Sequence, residues 1–227
     1  MLSNKITLKL ILFTLLIHVP LFCDYATLSD WKDKSVEEMS LGEYLRHHTT
    51  KLPVKHFLSG GSNQPQFFYE LLESHPEVKT IAQSGFLAGH SSELFLSSRE
   101  DVQVVSFDEM KSKCTYVGND YINLHFPERH QLIEGELSLT VPDYYKENPG
   151  FTFDLIFIDG GSSYEQVLAD LKNFKNLAHK DTLIVINDLN HTPVKNAWEK
   201  SVEDGLITKG EVYKSKSKKW VLCNYNF

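Results

Sequence analysis

Three apolar runs of this sequence end in an aspartate, at Asp108, Asp159 and Asp188. A carboxylate at such a position accepts hydrogen bonds from hydroxyl groups, binds a cation or takes a proton from a reacting group. Another run, which ends near Ser84, is followed by a segment that contains Gly85 and Gly89. These residue types at strand-like spacing predict a ligand-binding site with acid–base chemistry beside it.

The segment from Ile81 to Ser92 has the composition of a ligand-binding turn. Glycine permits a positive φ and lets a ligand approach the backbone, while Ser91 supplies a donor at the start of the next helix. Asp108 follows about 20 residues later, where an acid commonly accepts from both hydroxyls of a ribose. Glu136, near the end of the next strand, lies where the amine of an adenine could be bound.

The elements that must position these residues alternate along the chain. From Gln64 onward, β-branched runs alternate with helical patterns, which predicts a parallel sheet whose ligands bind beyond the carboxyl ends of the strands. Strands are predicted over residues 78–84, 102–108, 130–136, 153–159 and 182–188, and helices over 35–46, 66–75, 163–177 and 193–202. Runs at 207–214 and 218–225 predict an antiparallel hairpin. The lysines of its turn are interpreted as a solubilising surface run, at positions 214, 216, 218 and 219.

Composition limits the class of protein. The chain has 227 residues, of which 41% are hydrophobic and 23% charged, so it can bury one globular core and is neither fibrous nor disordered. Its formal net charge of -7 gives no overall attraction for a phosphate backbone, which excludes nucleic-acid binding through bulk charge. Three cysteines, Cys23, Cys114 and Cys223, have no zinc-site spacing and are too few for a disulfide scaffold.

The first 23 residues form a separate unit. Lys5 and Lys9 flank an apolar run that ends at His18 and Pro20, which is the pattern of a secretory signal peptide and too short for a transmembrane helix. We therefore predict a signal peptide over residues 1–23, an N-terminal extension over 24–62 and one domain over 63–227. The expected location is outside the cytoplasm, with an uncleaved segment that anchors the chain in a membrane as the alternative.

Several of these motifs together resemble the class I S-adenosylmethionine-dependent methyltransferases. The resemblance rests on residues 81–92, on Ser106-Phe107-Asp108, on residues 153–164 (FDLIFIDGGSSY) and on Val185 to Asp188. It implies a Rossmann-like, doubly wound α/β fold with a mostly parallel, seven-stranded sheet that ends in the antiparallel hairpin. It further implies S-adenosylmethionine as the cofactor, bound by residues at the strand ends: Gln83, Gly85, Phe86, Gly89, Ser91, Asp108, Glu136 and Asp159.

The sequence departs from this family at three places. Gln83 stands where the family has an acid that holds the methionine amine of the cofactor, and Ser162 replaces a histidine after the fourth strand. In the metal-dependent members the fifth strand ends in Asp-Asn, which is reversed here to Asn187-Asp188. The resemblance thus leaves two interpretations of Asp159, Asn187 and Asp188: oxygen ligands for Mg²⁺, or polar groups that cap the strands.

The sequence is consistent with two functions. The first is methyl transfer to oxygen on a small-molecule acceptor, with Asp159, Asp188 and His191 as candidate catalytic residues. The second is a secreted, catalytically degenerate binding protein that retained the fold, which Gln83, Ser162 and the export signal favour. The sequence does not specify the acceptor or the oligomeric state.

Overall fold

The computed structural model describes residues 35–49 and 63–227. Their strands form one sheet in the order β3-β2-β1-β4-β5-β7-β6. The strands are β1 Thr80–Ser84, β2 Gln103–Asp108, β3 His130–Glu134, β4 Phe153–Ile158, β5 Ala178–Ile186, β6 Glu211–Lys214 and β7 Lys219–Asn224. The helices are α1 Leu41–His48, α2 Gln64–Ser74, α3 His90–Ser98, α4 Lys113–His125, α5 Leu137–Glu147, α6 Tyr164–Phe174 and α7 Thr192–Glu203. The predicted signal peptide over residues 1–23 lies outside the described residues.

The strand order reverses at β1, which determines where a ligand can bind. The chain runs outward from β1 through β2 to β3 and then returns to β4 on the other side of β1, with all of these strands parallel. Helices that follow the two halves cover opposite faces, so a crevice forms at the carboxyl ends of β1 and β4. The predicted parallel sheet is confirmed.

The hairpin completes the sheet in the opposite direction. β7 pairs antiparallel with β5, and β6 pairs antiparallel with β7. The turn between β6 and β7 therefore lies at the same edge of the sheet as the carboxyl end of β5. The predicted C-terminal antiparallel hairpin is confirmed.

Two apolar layers, one on each face of the sheet, contribute most of the core. Successive side chains of a strand point to opposite faces, and β4 supplies both layers. Leu155 and Phe157 pack with α2 and α3, whereas Ile156 and Ile158 pack with α6 and α7. Because β4 is buried on both faces, its sequence is continuously apolar rather than alternating.

The first described helix differs from its prediction. Instead of one helix over residues 35–46, the chain forms a single 3-10 turn at Val36–Glu38 and then α1. Ser40 has an extended backbone and forms a capping box, in which its N–H donates to the Glu43 carboxylate at 2.8 Å. The same Ser-x-x-Glu spacing occurs at Ser35 and Glu38, so two caps divide the segment.

The fifth strand also begins earlier than predicted, at Ala178 rather than at residue 182. Ala178 pairs with Phe153 across an irregularity in the β4–β5 ladder. The residues between Ala178 and Thr182 are polar, so the sequence has no apolar strand pattern there. Within the part of the chain that the structure describes, no helix is long and apolar enough to span a membrane.

Candidate functional site

The sheet brings the sequence-predicted site residues together at one edge. The turns after β1, β2, β4 and β5 all lie at the carboxyl ends of parallel strands, where backbone bonds link neighbouring turns. Gly85 N–H donates to the Phe107 carbonyl at 2.8 Å, Asp159 N–H to that of Ser84 at 3.1 Å, and Asn187 N–H to that of Ile158 at 3.0 Å. These bonds extend the sheet into the site.

The glycine loop, residues 85–89, joins β1 to α3. Gly85 and Gly89 have φ values of 83° and 87°, in the left-handed region that glycine adopts without strain. A Cβ on Gly85 would come within 2.5 Å of the Gly160 Cα, which shows how closely the turn after β4 packs on the loop. The predicted need for glycine at position 85 therefore has two causes, its φ and this approach.

Asp108 binds the glycine loop directly. Its Oδ2 accepts from the N–H groups of Phe86 at 2.8 Å and Leu87 at 3.0 Å, and its Oδ1 accepts from Met110 N–H at 2.7 Å. Leu87 and Met110 both have a positive φ, so the carboxylate fixes two unusual backbone conformations. These bonds use most of the about four lone-pair positions of a carboxylate, and a ribose hydroxyl would share the rest.

The side chains of Gln83 and Phe86 point into the protein. Gln83 is 1% exposed and Phe86 is 2% exposed, and the Phe86 ring lies 5.1 Å from the His130 ring. A ligand above the strand ends can therefore meet these two residues only through their backbone. Ser91 is half-buried in the first turn of α3 and Glu136 is exposed just before α5.

Asp159 and Asn187 form a hydrogen-bonded polar pair in the site. The Asn187 amide donates to Asp159 Oδ1 at 2.6 Å, and the Asn187 Oδ1 accepts from Gln64 Nε2 at 2.8 Å. Asp159 keeps access to solvent, but the loss of hydration among the strand ends raises its pKa to about 6, while Lys218 opposes the rise and Asp188 adds to it. Asp159 is thus a carboxyl group with its pKa moved toward neutrality, as a general base requires.

The remaining candidates surround this pair. Asp188 has a φ of 56°, and its Oδ1 lies 4.0 Å from the Nζ of Lys218. His191 is exposed and stands immediately before α7. The structure thus brings Asp159 and Asp188 into one electrostatic group and leaves His191 at its rim.

Lys218 is a site residue that the sequence interpretation missed. It belongs to the basic turn before β7, and its side chain is only 21% exposed. Leu189 N–H donates to the Lys219 carbonyl at 2.8 Å and the Asn190 amide donates to that of Ser217 at 2.7 Å, which fastens the turn to the β5–α7 loop. Antiparallel pairing of β7 with β5 was the available signal, because it places this turn beside Asp188.

The donor set does not fit the magnesium site that the resemblance suggested. Asn187 gives amide hydrogens to Asp159 and its oxygen accepts from Gln64, so it has the arrangement of a hydrogen-bond bridge and not of a metal ligand. Over residues 35–49 and 63–227, no three His, Cys, Asp or Glu side chains group as metal ligands would. The interpretation of these residues as strand-capping polar groups fits better.

Comparisons with known proteins agree with this geometry. Residues 83–189 match a family model described as a methyltransferase domain. A Bacillus cereus O-methyltransferase bound to S-adenosylhomocysteine is 16% identical, with a TM-score of 0.67, and the match covers 82% of this chain and 90% of that one. The S-adenosylhomocysteine-bound Podospora anserina methyltransferase PaMTH1 is also 16% identical, with a TM-score of 0.64 and coverage of 82% and 88%. No curated protein matches the chain.

Proposed function

We propose, from the premise that residues 83–189 are a class I methyltransferase domain, that the protein transfers a methyl group from S-adenosylmethionine to an oxygen of a small-molecule acceptor. The observation that carries the proposal is the glycine loop bound to Asp108 at the reversal point of the sheet. The description of the Bacillus cereus neighbour as an O-methyltransferase supports the choice of oxygen.

The cofactor would lie over the glycine loop. The backbone of the loop would face the cofactor, the Asp108 carboxylate would offer its remaining lone pair to the ribose, and Glu136, which is exposed just before α5, would accept from the adenine amine. When bound, S-adenosylmethionine supplies a methyl group on a positively charged sulfur that needs alignment more than activation. The chain then has to hold the acceptor in line and remove one proton.

Asp159 is the group best placed to take that proton. Its pKa of about 6 leaves it mostly ionised near neutral pH while keeping it basic enough to accept a proton. The Asn187 amide fixes the orientation of the carboxylate through the 2.6 Å bond. Asp188, whose charge acts on Asp159, and His191, whose N–H donates to the Asp188 carbonyl at 2.8 Å, are the groups that would pass the proton to solvent.

Calorimetric titration tests the cofactor site. S-adenosylmethionine and S-adenosylhomocysteine are titrated into the full-length protein, into Glu136→Ala and into Glu147→Ala as the control. Glu136 and Glu147 are exposed glutamates at opposite ends of α5, so both variants should fold equally well. Weaker binding by Glu136→Ala alone supports the proposal, and a folded wild-type protein that binds neither compound overturns it.

A second candidate function is ligand binding without methyl transfer. Gln83 supports it, because the position where the family has an acid holds a neutral side chain that is turned into the protein. This candidate predicts that S-adenosylmethionine binds while no acceptor panel yields a methylated product. Turnover with any acceptor at a rate above that of Asp159→Asn would exclude it.

A further inference from the structure

A chain of buried hydrogen bonds runs beneath the glycine loop. Gln83 Nε2 donates to the Gly85 carbonyl at 2.5 Å, and Gln83 Oε1 accepts from Ser92 Oγ at 2.8 Å. Ser92 Oγ lies 3.2 Å from Ser106 Oγ, which lies 3.0 Å from Nε2 of His130. The chain therefore connects β1, α3, β2 and β3, and the side chains of its first three members are at most 1% exposed.

The first bond fixes the direction of the second. Because the Gly85 carbonyl only accepts, the Gln83 amide nitrogen must face it, and Gln83 Oε1 must accept from Ser92. The Ser92 proton is then used, so the Ser106 hydroxyl can donate to Ser92 at 3.2 Å or to Gln83 Oε1 at 3.5 Å, and in either case the Nε2–H of His130 donates to Ser106. This arrangement pairs one amide hydrogen of Gln83 and both serine hydroxyls, and it requires a His130 ring with a proton on Nε2.

Two further observations agree with that requirement. Burial lowers the pKa of His130 to about 4, so the ring is neutral at physiological pH. Its Nδ1 is buried and has no hydrogen-bond partner among the described residues, as expected for the unprotonated nitrogen. The ring also packs at a tilt against the Phe86 ring, so His130 contacts the loop through packing as well as through the polar chain.

The chain explains why position 83 holds glutamine. An ionised glutamate there would have no hydrogen to give to the Gly85 carbonyl, and two oxygen atoms would face each other at hydrogen-bond distance; the bond would survive only if the buried carboxyl group stayed protonated. Only a side chain that donates and accepts at once satisfies both Gly85 and Ser92. Gln83, which replaces the acid of the family, thus fits the hydrogen-bond partners that surround it in this chain.

We propose that Gln83, Ser92, Ser106 and His130 are positioning residues that hold the Gly85–Phe86 peptide in place for the cofactor, and that Gln83 does not itself bind the cofactor amine. This inference rests on the proposed function. It predicts that the acid found in the family, introduced here, weakens cofactor binding.

The test is Gln83→Glu, with Gln103→Glu as the matched control. Gln103 is an exposed residue at the amino end of β2, away from the site at the carboxyl ends of the strands. Its substitution therefore introduces the same negative charge far from the glycine loop. We expect Gln83→Glu to raise the Kd for S-adenosylhomocysteine about tenfold or more, because a buried carbonyl loses its donor. A Gln83→Glu protein that binds as tightly as wild type, or more tightly, overturns the proposal.

Ser106→Ala provides a second, milder variant if Gln83→Glu does not fold. It interrupts the chain between Ser92 and His130, and Ser98→Ala in α3 serves as its control, because Ser98 bonds only within its own helix. We expect a several-fold rise in the cofactor KM with kcat unchanged, since the chain lies away from the reacting atoms. An unchanged KM in a folded Ser106→Ala protein contradicts the proposal.

Hydrogen exchange separates this proposal from the proposed function. The N–H groups of Gly85, Phe86 and Leu87 are bonded to Phe107 and Asp108 without any ligand. Faster exchange of these groups in either variant than in its control supports the positioning role even if wild type binds no cofactor. Equal exchange in variant and control overturns the role, whether or not the cofactor binds.

Discussion

Gly85 and Gly160 approach so closely that the turns after β1 and β4 touch through their backbones. A Cβ on Gly85 would lie 2.5 Å from the Gly160 Cα, and a Cβ on Gly160 would lie 2.8 Å from the Gly85 N. Real Cβ atoms do not approach backbone atoms this closely, so a substitution at either position must displace a turn. The contact couples the cofactor side of the site to the turn that carries Asp159.

Gly85→Ala should therefore destabilise the protein more than Gly150→Ala does. Both glycines have nearly the same φ, 83° and 82°, but a Cβ on Gly150 would meet no described atom within 4 Å. The control should lose about 1–2 kcal/mol for the left-handed conformation alone, and Gly85→Ala should lose more. Urea denaturation of both variants measures the difference. Equal losses would contradict the close contact.

Asp159→Asn should abolish most methyl transfer while cofactor binding persists. The asparagine keeps the size of the side chain but cannot accept a proton from the acceptor. We expect kcat to fall about 100-fold or more, the usual contribution of a general base. Single-turnover assays measure the rate, and Asp181→Asn, at an exposed residue of β5, is the control. Retained activity would assign the base role to another group.

Glu93→Gln should change how stability depends on pH. Glu93 accepts from the Tyr121 hydroxyl at 3.1 Å, and burial raises its pKa to about 7 from 4.5. Between these values the folded protein binds more protons than the unfolded chain, so this group's contribution to stability falls as pH rises. Relative to wild type, Glu93→Gln should therefore gain stability between pH 5 and pH 8.

The measurement is the free energy of unfolding at the two pH values for wild type, Glu93→Gln and Glu70→Gln. Glu70 is an exposed glutamate of α2 whose carboxylate bonds Gln66 one turn away. The difference in unfolding free energy between Glu93→Gln and wild type should change by about 3 kcal/mol at most, given the distance between the two pKa values of Glu93. A difference that does not change with pH would remove the role assigned to Glu93.

Ser84→Ala should destabilise the protein mainly above pH 6. The Ser84 hydroxyl donates to Asp170 at 2.8 Å, beneath the turn after β4, and burial raises the pKa of Asp170 to about 6. Above this pH the buried carboxylate is charged and needs its donor, so the loss should be about 1–3 kcal/mol. Thermal melts at pH 5 and pH 8 test this, with Ser74→Ala, at the end of α2, as the control.

The elements of the sheet could be predicted from the sequence because each strand carries a local signal. The runs that end at Asp108 and Asp159 are apolar and β-branched, and the structure places β2 and β4 there. The early start of β5 could not be predicted, since Ala178 joins the sheet through its pairing with Phe153 and the next three residues are polar. That pairing depends on residues far apart in the sequence.

The positions of the site residues were predicted better than the directions of their side chains. Because the carboxyl ends of parallel strands meet at one edge of a sheet, the glycine loop, Asp108 and Asp159 were correctly expected to lie together there. It did not reveal that Gln83 and Phe86 point inward, because strand periodicity gives alternation and not which face binds the ligand. Lys218 was missed since only the antiparallel order of the hairpin brings its turn to the site.

The position of β7 has a consequence for synthesis. β7 lies between β5 and β6 in the sheet although it follows both of them along the chain. Until residues 219–224 have emerged from the ribosome, β5 presents an unpaired edge whose N–H and C=O groups can pair with another strand. Nascent chains arrested before residue 219 should consequently aggregate, and Lys218 reaches Asp188 only once β7 has paired with β5.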